Sequence, residues 1–398
     1  MLRQSLEGIK VVDFSQIGAG PTCSMYLGDL GADVVKIEPA TGDVGRMLGP
    51  PWVDETESAV FVGFNRNKRS IVLDLKSETG LQIARRLIST ADVVVESFRP
   101  GVMSRFALDY ESVRESNPRI VYCSVSAYGS TGDYASKAGV DGILQAASGL
   151  MMLLGDNGDA PSKVQAPIVD VSTGYIATIA VLSQLFKRHR TGIGGYLDVS
   201  LFASALAIQQ SSITGFLGDK ALPTRTGSAA PYSAPNEAFQ ASDGWVMVAA
   251  YLGDRWSRLC NILGLPRLID DPRFVTSSLR VVNRSAMRAE LSAAFMAQRC
   301  AHWLALFDAN DILCSKVCTY EDVMENPALQ HMGLIATMET EDGRTFRVPG
   351  FPVNSRESQA TPHRPPPSLG QHTAEILGEL GYTAIEVERL MNEGVTKS

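Results

Sequence analysis

IKVVDFSQIGAGPTCSMYLGDLGADVVKIE, residues 9–38, contains an apolar run, a glycine-bearing turn, a helical stretch and a second apolar run. Residues 9–14 (IKVVDF) fit a buried strand, SQIGAGP a turn, 21–30 a helix, and 33–37 (DVVKI) a strand that ends at Glu38. This is a β-α-β unit, and short, nearly continuous apolar runs are what strands covered on both faces require. Downstream the same logic returns. A strand is expected over 71–75, a helix from Ser77 through Ile88, and further strands at 92–96 (DVVVE) and 119–125 (RIVYCSV). Strands alternating with helices predict a mostly parallel, doubly wound α/β sheet, whose ligands bind beyond the carboxyl ends of the strands. Gly18, Lys76, Ser97, Phe98 and Arg99 fall at those ends.

Gly18 and Gly20 after the first strand, with Glu38 further on, invite a dinucleotide reading and an NAD-linked oxidoreductase. That fingerprint needs a third glycine, and Pro21, Thr22 and Cys23 stand there instead. A serine hydrolase lacks its GxSxG elbow. Arg66, Lys68, Arg69 and Lys76 cluster at the ends of one expected strand, either as a solvated basic surface or as a site for a phosphate-bearing ligand.

A chain of 398 residues exceeds one typical core, so two domains are expected. Apolar residues at 45% and charged ones at 20% are ordinary globular composition. A net charge of −7 argues against nucleic acid as partner. No apolar run reaches the ~18 residues of a membrane span, and MLRQSLEGIKVVDF lacks a signal-peptide core, so a cytoplasmic location and no membrane partner are expected. The six cysteines show no CxxC spacing and read as reduced, mostly buried thiols. The five histidines show no HxxxH spacing, so no metal is expected.

The run 161–202, PSKVQAPIVDVSTGYIATIAVLSQLFKRHRTGIGGYLDVSLF, centres on Asp170. Pro167 fixes an extended approach, an apolar run covers 175–186, and Lys187, Arg188, His189 and Arg190 precede Gly192, Gly194 and Gly195. This predicts a helix over 170–189 capped by Asp170, whose carboxylate would satisfy first-turn amides. GGYLDVSL reads as a short strand, and a helix is expected over 201–216. From Leu222 the texture changes. Residues 236–250 predict a hairpin turning at Ser242-Asp243-Gly244, and helices follow at 254–263, 284–298 and 300–309. Beyond 334 come another strand pair around Glu341-Asp342-Gly343, a proline-rich run at 362–367, and helices at 371–380 and 384–392.

Taken together, LEGIKVVDF, GADVVKIEP, NRNKRSIVLDLK, ADVVVESFRPG, NPRIVYCSVSAYGSTG, AASGLM and the Asp170 segment cover nearly the whole chain. They resemble the class III coenzyme A transferases, a family that includes formyl-CoA transferase, carnitine CoA-transferase and 2-methylacyl-CoA racemases. The resemblance implies a Rossmann-like large domain built from 1–221 and 326–398, a smaller α+β domain over 222–325, and an interlocked homodimer. It implies a CoA-transferase moving CoA from an acyl-CoA to a carboxylic acid, with no tightly bound cofactor. Asp170 would be the nucleophile, passing through an aspartyl anhydride and an aspartyl-CoA thioester. Positions matching the family's CoA contacts are Gly18, Ala19, Leu73, Lys76, Ser97, Phe98, Arg99, Arg105, Lys137 and Val140. There are departures. Pro39 stands where formyl-CoA transferase has an arginine against the adenine, and AAYLGDRW where it has a glycine-rich loop, which weighs against formate or oxalate as substrate. Val140 stands where the racemases carry a histidine, which disfavours the alternative of an acyl-CoA racemase.

Overall fold

The computed structural model describes residues 4–53, 57–340, 342–353 and 363–397. Residues 1–3 of the N-terminal stretch, Glu341 of the expected turn and Pro362 of the proline-rich run lie outside the described residues. The chain divides into two compact units, one of Met1–Leu150, Lys163–Leu217 and Gln330–Ser398, the other of Met151–Ser162 and Gly218–Leu329.

Through residue 219 the elements are β1 (Lys10–Asp13), α1 (Ala19–Asp29), β2 (Asp33–Glu38), α2 (Ala59–Phe64), β3 (Lys68–Val72), α3 (Glu78–Ser89), β4 (Val93–Glu96), α4 (Val102–Arg105), α5 (Tyr110–Ser116), β5 (Val121–Ser126), α6 (Asp141–Ala147), α7 (Ile168–Thr191), β6 (Gly195–Ser200), α8 (Leu201–Ala207) and α9 (Gln210–Asp219). The six strands form one sheet in the order β3-β2-β1-β4-β5-β6, and every pairing is parallel. The order reverses between β1 and β4, which opens a crevice beyond their carboxyl ends.

Alternation along β4 explains both layers. Val93 and Val95 join Val11, Val121, Cys123 and Val125 beneath α1 and α7, whereas Val94 joins Val12, Ile71 and Tyr122 on the opposite face with α3. All three β4 valines are fully buried, as a strand covered on both sides demands. Two elements near the chain end, Thr373–Glu379 and Ala384–Asn392, add Ile376, Leu377, Val387 and Leu390 to that second layer. The return is pinned at β3, where His372 donates its amide to the Ser70 carbonyl and Asp74 its amide to the Val395 carbonyl.

β3 begins at Lys68 rather than at 71, and this changes the reading of the basic cluster. Arg66, Lys68 and Arg69 are buried. Each is spent on a carboxylate from another element: Arg66 on Asp29, Lys68 on Asp13 at 3.0 Å, and Arg69 on Asp33 at 2.6 Å with Glu375 and Glu379. They are internal ties, neither a solvated surface nor a phosphate site. A buried charge persists only when paired, and these pairs cross-link the sheet edge to α1 and to the chain end. Lys76, in contrast, is exposed.

Other expectations shift at their edges. The helix expected over 201–216 is two, α8 and α9, interrupted at 208–209. α7, at 24 residues, is long and apolar enough to cross a membrane by length and composition, against the expectation that no stretch would be. It is nonetheless a packed helix, with Val169, Ala177, Val181 and Leu185 buried against the sheet.

The second unit holds an antiparallel sheet of β7 (Asn236–Ala241), β8 (Gly244–Ala249) and β9 (Leu313–Lys316), with α10 (Arg255–Ile262), α11 (Ser277–Val282), α12 (Arg284–Phe295) and α13 (Cys300–Ala309). Phe239 stacks on Phe295 with ring centroids 4.6 Å apart, inside a core with Val246, Val248, Trp256 and Phe307. Residues 151–162, expected in the large domain, belong here. Gly227 donates its amide to the Gly155 carbonyl, and Arg225 donates to the Asp159 carbonyl at 2.5 Å. No apolar period marks that segment, so its partners decide where it belongs.

Candidate active site

Asp170 is the third residue of α7, not its cap; the cap position is Pro167, which offers no side-chain hydrogen bond. The capping acceptor comes from elsewhere. Asp141 opens α6, and its Oδ2 accepts the amides of Val169 at 2.8 Å and Asp170 at 3.2 Å. Its Oδ1 accepts from Gln145 Nε2, and Gln145 holds Val164 through both the amide and the carbonyl. A carboxylate at a helix N-terminus is stabilising, so Asp141 fixes the first turn of α7 and leaves the Asp170 side chain out of that task.

The Asp170 carboxylate accepts no hydrogen bond from any described residue. Burial, with the negative charge of Asp141 as the second cause, raises its pKa from 3.8 to about 7. Its immediate neighbour is Gly18, the N-cap of α1. A Cβ built on Gly18 would stand 2.5 Å from Asp170 Oδ2, so a glycine there lets the backbone meet the carboxylate. The close approach continues behind the site. A Cβ on Gly174 would stand 2.5 Å from Thr22 Cβ and 2.9 Å from the Ala19 carbonyl oxygen, so α1 and α7 cross backbone against backbone. The first-turn amides of Ala19 and Gly20 have no acceptor inside α1, and that helix end favours negative charge.

A cavity of about 220 Å³ lies at this point, in the crevice where the strand order reverses. It gathers Asp170 with Gly18, Ala19, Ser97, Phe98 and Val140. Of these, Ser97 Oγ accepts the Gln16 amide at 3.0 Å, and Val140 is 56% exposed at the start of α6. The other candidates lie elsewhere. Leu73 packs its side chain into the core, leaving only its main chain for a ligand. Arg99 lines a neighbouring cavity with Glu96, Tyr110, Tyr122 and Tyr196. Lys76 and Arg105 are exposed, and Lys137 lies over the Tyr134 ring at 4.8 Å. Glu38 is consumed by Arg46, Ser70 and the Asp43 amide, so no ribose acid is available and the dinucleotide reading fails on geometry as well as on glycine spacing.

Sequence reading missed Asp141, Gln16 and Ile17, which also border the cavity or brace its helix. Gln16 and Ile17 sit in the turn between strand and helix, and that position was signal enough. Asp141 acts on amides 28 and 29 residues away and had none.

The profile of CoA-transferase family III matches residues 6–373. The chain belongs to that family. It is 37% identical to the succinyl-CoA:glutarate CoA-transferase of Mus musculus over 98% of this chain and 90% of that protein. It is 35% identical to the succinate–glutarate CoA-transferase of Agrobacterium fabrum, over 94% of this chain and 95% of the relative. Among solved structures, a CAIB/BAIF family protein from Brucella suis superposes with a TM-score of 0.85 at 35% identity, covering 94% of this chain and 99% of the other. A family III chain is an enzyme of the CoA-transferase class, and its substrates are CoA thioesters.

Proposed function

We propose that the protein transfers CoA from an acyl-CoA to a carboxylic acid with Asp170 as the covalent nucleophile. The observation that carries this is a half-buried carboxylate, free of hydrogen bonds from the described residues, against a helix N-terminus at the sheet's switch point. A carboxylate stripped of donors keeps its electron density for attack, and one with a pKa near 7 is a better nucleophile than an ordinary aspartate.

The cycle balances without an added proton. Asp170 attacks the thioester carbonyl, the C–S bond breaks, and an acyl-aspartyl anhydride and CoA thiolate result. The thiolate attacks the aspartyl carbonyl, expels the donor's carboxylate and leaves an aspartyl-CoA thioester. The acceptor carboxylate attacks that carbonyl, releasing thiolate and forming a new anhydride. Thiolate then attacks the acceptor's carbonyl, giving the new acyl-CoA and restoring Asp170. Each tetrahedral oxyanion forms beside the Ala19 and Gly20 amides, which supply donors without reorganisation.

Gly18, Ala19, Ser97, Phe98 and Val140 border the reacting end of CoA in this reading; Leu73 through its main chain, with Lys76, Arg99, Arg105 and Lys137, serves the nucleotide end, where cations meet phosphates. The relatives named above are a succinyl-CoA:glutarate and a succinate–glutarate CoA-transferase, which supports short dicarboxylates as donor and acceptor here. The homodimer, interlocked as the resemblance implies, is supported by the outward side of α7, where Ile179 and Phe186 are 63% and 67% exposed.

Succinyl-CoA and acetyl-CoA assayed against a panel of carboxylates should give transfer to glutarate among the fastest reactions. Val140 offers no acid or base for the second face of an α-carbon. A 2-methylacyl-CoA incubated in D₂O should therefore exchange its α-proton far more slowly than CoA is transferred. Exchange at the rate of transfer, with no acceptor used, would place the protein among the racemases.

A further inference from the structure

The turn that carries Gly18 to Asp170 is strained. Ile17 has φ of +72°, a left-handed conformation that a β-branched residue rarely adopts. Gly18 donates its amide to the Gln16 carbonyl at 3.1 Å, closing a three-residue turn centred on Ile17, and such turns with positive φ are rare and strained. Strain of this kind persists only where the surroundings over-determine it.

The surroundings here are a buried ion pair. Asp43 Oδ1 accepts the Ile17 amide at 3.0 Å and the Gly45 amide at 2.7 Å, while Asp43 Oδ2 pairs with Lys36 Nζ at 2.8 Å. Lys36 Nζ also donates to the Ser15 carbonyl at 2.7 Å. Both side chains are fully buried. On the other flank Ser97 Oγ holds the Gln16 amide. Behind them Asp13 binds Ser15 and Lys68, so the network reaches from β1 to β3. Burial works against the charge of Lys36, yet Asp13 and Asp43 together hold its pKa above the ordinary lysine value. None of these four charges borders the cavity; Ile17 and Gly18 do.

We propose that Lys36 and Asp43 are positioning residues for the transfer reaction: they clamp Ile17 in its left-handed turn and thereby hold Gly18 and the start of α1 against Asp170. The inference rests on Asp170 being the nucleophile. A simple structural role would make the pair matter for folding alone. A positioning role makes it matter for the step at Asp170, because a displacement of an ångström at the reacting atoms slows chemistry a hundredfold while distant contacts to CoA persist.

The test uses the full-length protein and two variants. Asp43→Asn keeps an oxygen acceptor for Ile17 and Gly45 but removes the charge facing Lys36. Gly45→Ala keeps the pair and crowds it, since the added Cβ would stand 3.2 Å from Asp43 Oδ1 and 3.5 Å from Ile17 Cα. The measurements are kcat and KM for succinyl-CoA with glutarate, with the folded fraction determined by thermal melting. Asp43→Asn should lower kcat about tenfold to a hundredfold, and Gly45→Ala about threefold or more, with KM for the CoA ester within about twofold of wild type. The proposal is overturned if either folded variant keeps kcat within the error of wild type, or if KM rises while kcat is retained. Should Asp43→Asn fail to fold, Gly45→Ala decides alone. A wild-type protein that transfers CoA without an adduct at Asp170 would refute the underlying mechanism instead, and that control is run first.

Discussion

Asp170→Asn should fold as well as the wild type and transfer CoA slower by roughly 10⁴-fold or more, the scale of loss when a covalent nucleophile is removed. The amide nearly matches the carboxylate in size but cannot form the anhydride. The stability of this variant carries a sign that distinguishes catalysis from architecture. The Asp170 carboxyl has a folded pKa of about 7 against 3.8 unfolded, so between those values the native state binds more protons than the unfolded chain. Wild-type stability attributable to this group therefore falls as pH rises from about 4 through 7, by at most about 4 kcal/mol above pH 8. The asparagine variant does not bear that cost. It should melt no lower than wild type at pH 5 and several degrees higher at pH 8. A carboxylate that earned its place as a helix cap would give the opposite trend, since a cap is lowered in pKa and its loss destabilises most at high pH. Melting curves at the two pH values, with transfer assays on the same samples, separate the two roles. The same ionisation governs rate: acylation of the wild type should fall about tenfold per pH unit below 7.

Gly174→Ala should destabilise the protein by about 1–3 kcal/mol, lowering the melting temperature on the order of 2–5 °C for a chain of 398 residues, and slow transfer in what remains folded. The added methyl would stand 2.5 Å from Thr22 Cβ and 2.9 Å from the Ala19 carbonyl oxygen, and neither is a flexible side-chain end. α1 and α7 must then separate, which costs packing along their whole crossing. Because that crossing also sets Gly18 against Asp170, the chemistry should suffer beyond the loss of folded protein. A melting temperature within a degree of wild type would show that the crossing is looser than described.

The layout of the large unit was legible because each of its early strands is a short apolar run followed by a helical one, and parallel sheets leave that mark. Residues 9–38 alone announce β1, α1 and β2 nearly in place. What escaped reading depends on partners distant in sequence. Lys68 and Arg69 look like loop cations until Asp13 and Asp33, 55 and 36 residues away, neutralise them inside the sheet. The cap of α7 was sought on Asp170, the acid nearest the helix start, but Asp141 occupies that role from another helix and leaves the nearer carboxylate out of it. Residues 151–162 carry no periodic signal, so only their contacts place them. At the site itself, Asp170 and the small residues Gly18 and Ala19 that line the same cavity stand in motifs quotable from the sequence. The strained turn at Ile17 does not, because a φ value leaves no trace in a sequence when the residue adopting it is not glycine.

In the proposed cycle CoA becomes covalently bound to Asp170, and that bond can be trapped. Incubating the protein with succinyl-CoA and no acceptor, then digesting and weighing the peptide that contains residues 167–174 (PIVDVSTG), should reveal a fraction heavier by CoA less one water. Hydroxylamine should release that mass, as it cleaves a thioester, and Asp170→Asn should show none of it. A protein that transfers CoA while its adduct forms on another residue, or while no adduct forms at all, would contradict the mechanism.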